Sequence, residues 1–412
     1  MLAHPSASVP KVATANSAGV SCGGRSRGAA SGAIGRAKFF RCLAVPRCDE
    51  RGMRAAARPR KQELGAETND PAHIPVLLGE ALEALSVKEG GAYIDATFGA
   101  GGYSRALLAA GNDIRVLALD RDPDAIGDGQ ALVAQAAGRL TLVQARFGEI
   151  ERVAREHGFA SPDGVVFDLG ISSMQIDRPE RGFSFRHDGP LDMRMSREGL
   201  SAAELVATVD VKSLAHKLQV LGEERHAGRI AEAIVAAREV APIRTTYELR
   251  RIVTSAVPPA RDGIDPATRT FQALRISVNE ELDELVRGMV GAASLLAPGG
   301  RLVAVSFHSL EDRLVKHFLQ GRTAAEIILS RHLPTEPRST QAFAPIGGPI
   351  APSQTEIFRN PRSRSAKLRW GVRSSLPLPE DILRLASIAM PREVKEQRFR
   401  QAREKRFRRR RK

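Results

Sequence analysis

The sequence predicts an α/β fold in which a doubly wound parallel sheet is interrupted by an all-helical insert. Strand and helix signals alternate between residues 92 and 169, helix signals alone fill residues 201–257, and a strand of the first kind returns at Arg301–Phe307. Alternation at this spacing is that of successive βαβ crossovers, which make neighbouring strands run parallel.

The elements follow in order. Ala92–Asp95 is a strand of the buried type, and a glycine-rich turn leads from it to a helix over Tyr103–Ala110. Ile114–Leu119 and Pro123–Ala137 form the next strand and helix, and Leu140–Val143, Gly148–His157 and Val165–Leu169 continue as strand, helix and strand. The alternation then stops. Residues 201–209, 211–221, 223–240 and 245–257 read as helices punctuated by Gly222, Pro242 and Pro258-Pro259. A long helical stretch runs from Thr270 to Leu296, and Pro298-Gly299-Gly300 turns it into the returning strand. Ser365–Val372, which contains Trp370, is expected to close the sheet as an antiparallel strand beside a nearby partner. The chain thus divides into a leader at residues 1–72, a discontinuous α/β domain at 73–177 and 278–375, a helical insert at 178–277 and a tail at 376–412.

The 412 residues carry 62 Lys plus Arg against 47 Asp plus Glu, a formal charge of +15, and the excess sits at the ends. Residues 1–72 hold 12 basic and 5 acidic side chains, and residues 391–412 hold 12 and 3, so the body between them is nearly neutral. The run Arg406 to Lys412 is either a solvated tail or a set of phosphate contacts that reads no sequence. No apolar run approaches membrane-spanning length. Residues 1–48 resemble an organellar presequence in composition, with seven basic residues and no acid, but no apolar face recurs at helical spacing. An over-extended start, with Met53 as the alternative, or a disordered leader is therefore the expectation. Cys22, Cys42 and Cys48 all lie in that leader, which leaves the body without a disulfide framework or a thiolate metal site. The nine His show no metal-ligand spacing, so no catalytic metal is expected.

Tyr93-Ile-Asp-Ala-Thr-Phe-Gly-Ala-Gly-Gly-Tyr-Ser is a strand, a glycine turn and a helix start, a geometry that lets backbone N–H groups approach a ligand closely. A nucleotide-triphosphate loop would need Lys-Ser/Thr after its last glycine, and Gly102 is followed by Tyr103-Ser104. A dinucleotide fingerprint begun at Gly99 and Gly101 would need its third glycine where Ser104 stands. Asp120 ends the following strand about 20 residues on, where an acid suits the two hydroxyls of a ribose. Asp95, Gly99 to Tyr103 and Asp120 together resemble the S-adenosylmethionine-dependent methyltransferases of the Rossmann-like class. Phe147, after the third strand, either borders an adenine ring or packs in the core. Asp168 ends the fourth strand and is expected to face the transferred methyl group, because ligands in such sheets lie outside the strand C-termini. Asp168-Leu169-Gly170 lacks the Pro-Pro-aromatic that amino-directed methyltransferases commonly place there.

Over residues 73–373 the sequence resembles one family, the bacterial-type methyltransferases that modify the N4 amine of a cytidine in 16S ribosomal RNA near the decoding centre. The strings that carry the resemblance are His73-Ile-Pro-Val-Leu-Leu, Asp95-Ala-Thr-Phe-Gly-Ala-Gly-Gly-Tyr-Ser-Arg, Asp120-Arg-Asp-Pro, Asp168-Leu-Gly-Ile-Ser-Ser-Met-Gln and Glu180-Arg-Gly-Phe-Ser-Phe. Asp188-Gly-Pro-Leu-Asp-Met-Arg-Met, Gly222-Glu-Glu-Arg, Thr268-Arg-Thr-Phe-Gln-Ala, Ser306-Phe-His-Ser-Leu-Glu-Asp-Arg and Asn360-Pro-Arg-Ser-Arg-Ser follow. The resemblance implies a cytoplasmic, S-adenosylmethionine-dependent enzyme acting on 16S ribosomal RNA, within the small ribosomal subunit. It implies cofactor contacts at Gly101, Gly102, Tyr103, Asp120, Phe147, Asp168 and Gln175. Tyr103 stands where the family commonly has histidine, so a backbone contact is expected to survive there, and Met174 replaces a usual proline. The sequence does not fix an oligomeric state.

Chemistry then narrows the reaction. Methylation of a cytosine at C5 needs a thiolate nucleophile, and the body has no cysteine, so direct in-line attack by an amine remains. Asp168 is the first candidate to accept a hydrogen bond from that amine, with Ser172 and Ser173 next. His308 is a further candidate, either in the pocket or as a packed, hydrogen-bonded residue. Asp188–Met195 is either a substrate-facing loop or a rigid turn into the insert, and Arg186, Arg194 and Arg197 are expected phosphate contacts. The insert is expected to select the RNA by its place beside the pocket rather than by charge, since it holds 16 basic and 13 acidic residues.

Overall fold

The computed structural model describes residues 75–258, 263, 265–322 and 341–389, all within the unit Glu67–Lys412. The predicted leader and residues 390–412 of the tail lie outside the described residues. In chain order the first half contains α1 (Leu78–Leu85), β1 (Ala92–Asp95), α2 (Gly102–Ala109), β2 (Arg115–Asp120), α3 (Pro123–Gln135), β3 (Leu140–Gln144), α4 (Ile150–Glu156), β4 (Gly164–Asp168) and α5 (Ser173–Asp177). Helices α6 (Ala202–Thr208), α7 (Val211–Leu221), α8 (Ala227–Val240), α9 (Thr246–Ala256), α10 (Ala267–Asn279) and α11 (Glu281–Leu295) follow. The chain returns to the sheet with β5 (Arg301–Ser306), α12 (Ser309–Leu319), β6 (Phe343–Ile350), α13 (Gln354–Arg359) and β7 (Lys367–Arg373).

Among the described residues seven strands form one sheet in the order β3-β2-β1-β4-β5-β7-β6, parallel from β3 to β5 and antiparallel at β7 and β6. The predicted α/β class, with strands 1 to 5 at the predicted places, is the observed one. Both faces of the central strands are covered. Val116, Ala118, Val166, Val303 and Val305 face the layer of α1 to α3, whereas Leu117, Leu119, Val165, Phe167, Leu302 and Ala304 face α4, α11 and α12. This is the period of two that a parallel sheet buried on both sides turns into two apolar layers.

The second layer does not end at the sheet. Leu205, Leu218, Ile230, Leu249 and Leu274 of α6 to α10 belong to the same contiguous apolar core as Ile94 and Phe167. Three of these helices begin on a side-chain cap: Ser201 and Thr245 form reciprocal capping boxes with Glu204 and Glu248, and Asp210 accepts from the Ser213 N–H.

One expectation needs correction. The stretch from Thr270 to Leu296 is two helices, because Glu280 adopts a left-handed conformation at φ 52° between α10 and α11. The adjacent Asn279 is buried, donates to the Met193 carbonyl and accepts from the Met195 N–H, so a tertiary anchor fixes the break. Strand β7 closes the sheet as predicted, and the nearby partner expected for it is β6, an edge strand that holds two prolines and two glycines.

Candidate active site

The strand order reverses between β1 and β4, so the loops leaving these neighbours diverge and open a crevice at their C-terminal ends. A cavity occupies that crevice. Its wall is drawn from the ends of β1 to β5: Thr97 to Ala100, Asp120, Phe147, Asp168 to Ser173, and Phe307.

The glycine turn is held from below. Asp95, fully buried, accepts from the Thr97 N–H and the Ser104 hydroxyl, tying both ends of the turn to one carboxyl. Gly101 caps α2 at φ 78°, and a Cβ there would stand 2.8 Å from Phe98 Cζ. A Cβ on Gly102 would stand 2.1 Å from Pro75 Cγ, so this position admits no side chain while Pro75 covers it. Gly102 and Tyr103 line the cavity, whereas Gly101 acts on its shape from behind. The Tyr103 ring is buried and its hydroxyl donates to the Val76 carbonyl, which fastens the N-terminal segment over the turn.

Asp120 receives the Gly99 N–H on Oδ2 at 2.7 Å and the Asp122 N–H on Oδ1 at 2.8 Å. Each oxygen retains acceptor capacity toward the cavity, which matches a pair of vicinal hydroxyls. Phe147 resolves both ways: it lines the cavity and also meets Phe167 edge-on, with ring centroids 5.8 Å apart.

Asp168 is the most unusual group. Its N–H donates to Thr97 Oγ1 at 2.7 Å, and its Oδ1 is buried with no hydrogen-bond partner. Burial, then the nearby Asp95 and Glu311 carboxyls, push Asp168 well above the ordinary carboxylate range. Burial likewise raises Asp95 and Asp120, each to about 6. Three carboxyls that are costly to ionise at the crevice are an environment that a cation with hydroxyl donors would relieve.

Ser172 caps α5, accepting from the Gln175 N–H while Gln175 Oε1 accepts from the Ser172 N–H. Both residues and Ser173 line the cavity. The Gln175 amide donates to Asp122 Oδ2 at 2.7 Å, so it braces the loop after β4 against α3. His308 is not among the cavity-lining residues. Its Nδ1 accepts from the Glu311 N–H at the start of α12, and Nε2 lies 3.1 Å from Glu311 Oε1. Among the described residues Glu281, His308 and Glu311 bring potential metal-ligand atoms within 4.8 Å of one another. Arg275 already supplies a positive charge there, donating to both Glu281 oxygens at 2.8 Å.

Several lining residues carried no sequence expectation: Thr97, Arg121, Phe307, Asn360 and Arg362. Of the Asp188–Met195 segment, Met195 lines the cavity. Of the arginines near it, Arg194 is chelated by Asp192 and Arg197 pairs with Asp124 at 2.6 Å.

The sequence pattern of the MraW methylase family matches residues 70–374, the whole sheet and everything between its strands. The chain belongs to the MraW methylase family. A relative from Xanthobacter autotrophicus, called ribosomal RNA small subunit methyltransferase H, is 56% identical over 306 residues, 74% of this chain and 88% of that protein. A relative of the same name from Methylobacterium sp. (strain 4-46) is 54% identical over 327 residues, 78% of this chain and 97% of that protein. Among solved structures, a putative rRNA methylase from Clostridium thermocellum covers 73% of this chain and 99% of its own at 15% identity and TM-score 0.34. This methylase is therefore an S-adenosylmethionine-dependent methyltransferase, and its crevice fits that cofactor on the structural grounds above. No described helix is long and apolar enough to cross a membrane.

Proposed function

We propose that this methylase modifies the N4 amine of one cytidine in 16S ribosomal RNA near the decoding centre, in the cytoplasm and within the small ribosomal subunit. The names of its relatives support the RNA class. The observation that carries the reaction is the unpartnered Asp168 Oδ1 buried at the cavity wall.

When bound, S-adenosylmethionine supplies an activated methyl group on a sulfonium centre. Asp120 takes the ribose hydroxyls, Phe147 borders the adenine, and Gly101, Gly102 and Tyr103 shape the turn that admits the amino-acid end. Gln175 acts through Asp122 to hold the loop that carries Ser172 and Ser173. Positive charge in the cavity favours the ionised form of Asp168, whose Oδ1 accepts the amine N–H as the nitrogen pyramidalises. A carboxyl whose pKa is raised is also the better acceptor of the proton that the amine must lose. Attack is direct, since residues 73–412 contain no cysteine to form a covalent adduct with the base. The base leaves its stack to reach Asp168, as in other enzymes that work on a base. The helices of residues 178–277 select the RNA.

The test is mass spectrometry of nucleosides from small-subunit RNA of a strain lacking the protein, with and without complementation. Loss and return of an N4-methylated cytidine is the expected result. Unchanged ribosomal RNA, or a methyl group appearing on DNA, would remove the proposal.

A further inference from the structure

The mouth of the cavity carries a basic segment that neither the fold nor the cofactor accounts for. Asn360 and Arg362 line the cavity at the turn Pro361–Ser365, directly after the short helix α13. The segment is anchored and internally closed: Glu356 Oε1 accepts from the Leu77 N–H at 2.8 Å, and Ser363, fully buried, donates its hydroxyl across the turn to the Asn360 carbonyl at 2.7 Å. From this fixed base Arg359, Arg362 and Arg364 all project as exposed residues, and Phe358 beside them is 89% exposed.

Arg362 is held across the mouth by Asp177, the last residue of α5, through both guanidinium nitrogens. The side chains are 41% and 51% exposed, so water screens this pair and little free energy opposes its exchange. The fork that grips Asp177 matches the geometry of a phosphodiester equally well. Deeper in the cavity the lining charges are Asp120, Asp168 and Arg121, whose guanidinium donates to the Asn279 carbonyl. An anionic strand thus meets an exposed guanidinium at the rim in Arg362, while the interior lining carries two carboxyls and one arginine.

Resting on the RNA reading above, we propose that Phe358–Arg364 is the docking strip for the single strand flanking the target nucleotide. Arg362 exchanges Asp177 for a backbone phosphate, and Phe358 stacks a neighbouring base. An exposed aromatic next to several arginines is the combination by which single strands are held without base-edge readout. Arg359 and Arg364 extend the phosphate track.

The test uses the full chain, unmethylated small-subunit RNA from a strain lacking the protein, and the variants Arg362→Gln, Asp177→Asn and Phe358→Ala. Binding of RNA is measured across a salt series, and binding of S-adenosylmethionine by calorimetry. Arg362→Gln is expected to weaken RNA binding about tenfold and to lower its salt slope by about 0.7, the contribution of one phosphate contact on a single strand. Phe358→Ala is expected to weaken RNA binding about tenfold at unchanged slope, as loss of stacking does. Asp177→Asn is expected to tighten RNA binding by a few fold, because the competing carboxylate is gone. Cofactor affinity stays within twofold in all three. A pair that only braces the fold would make Asp177→Asn and Arg362→Gln weaken RNA binding alike, which overturns the proposal. So does a tenfold loss of cofactor affinity in Arg362→Gln with RNA binding intact, since the guanidinium would then serve the cofactor carboxylate. RNA binding by the wild type with the expected variant pattern, but no methylated cytidine on complementation, rejects the reaction and keeps the strip. Normal methylation with all three variants unchanged rejects the strip and keeps the reaction.

Discussion

Asp168 concentrates the chemistry of the site in one atom. Replacing it by Asn keeps its size and removes both its charge and its ability to take a proton. Turnover of Asp168→Asn is expected to fall about 10²-fold or more, the usual cost of losing a positioned acid-base group. Its thermal midpoint at pH 8 is not expected to fall, because the amide escapes the burial that raises the Asp168 carboxyl. Full activity, or loss of folding, would remove the role. Asp95 gives a pH prediction of definite sign. Burial raises it from 3.8 to about 6, so the folded protein binds more protons than the unfolded chain between those values. Its contribution to stability is complete below the unfolded value and is lost as the pH rises through about 6. Asp95→Asn retains both contacts, since the Ser104 hydroxyl reverses from donor to acceptor. The thermal midpoint of Asp95→Asn minus that of the wild type is therefore expected to increase between pH 5 and 7. A difference that stays flat contradicts the assignment.

At the scale of elements, the loop from Pro179 to Met195 is seated by one arginine. Arg181, 4% exposed, donates to Asp122 at 2.8 Å and Asp124 at 3.0 Å through Nη1, and through Nη2 to the carbonyls of Arg194 and Met195. Since Met195 lines the cavity, this hub links α3 to the wall of the site. Arg181→Met leaves the buried Asp122 uncompensated and is expected to cost about 3–5 kcal/mol in urea unfolding, with part regained on adding Asp122→Asn. Equal instability of the single and double variants would show that the loss is one of packing. The hub itself was not legible in sequence, where Glu180-Arg181-Gly182 carried part of the family resemblance but no sign of its partners at Asp122 and Asp124. Strands β1 to β5 were legible because burial on both faces demands continuous apolar runs. Strand β6 was not, because an edge strand tolerates prolines that a central strand excludes. The break at Glu280 was hidden for a different reason: no glycine or proline marks it, and the anchor at Asn279 lies in tertiary contacts with Met193 and Met195. Asp120 and Asp168 were legible because strand ends carry the chemistry in this fold, whereas Arg362 comes from a turn more than fifty residues after the last parallel strand.

At the scale of the molecule, the sequence reads as two domains, one threaded into the other, but the apolar core runs through both. Ile230, Leu249 and Leu274 of the helical segment and Ile94, Phe167 and Leu302 of the sheet belong to one contiguous cluster. Helix α11 adds Leu282, Leu285, Val286, Met289 and Ala292 to that cluster as buried residues. A module with its own core melts on its own, whereas a core held in common makes opening of one part expose apolar surface on the other. Calorimetry of the ligand-free protein is accordingly expected to show one transition with equal calorimetric and van't Hoff enthalpies. Binding of S-adenosylmethionine at about 100 times its dissociation constant should raise stability by about 2.7 kcal/mol and move that single transition as a whole. Two resolved transitions, with only the later one responding to cofactor, would mean that the helices of residues 202–256 fold independently of the crevice. Selection of RNA by those helices would then be separable from catalysis. A single responsive transition instead means that the helices and the crevice open together, as a core held in common requires.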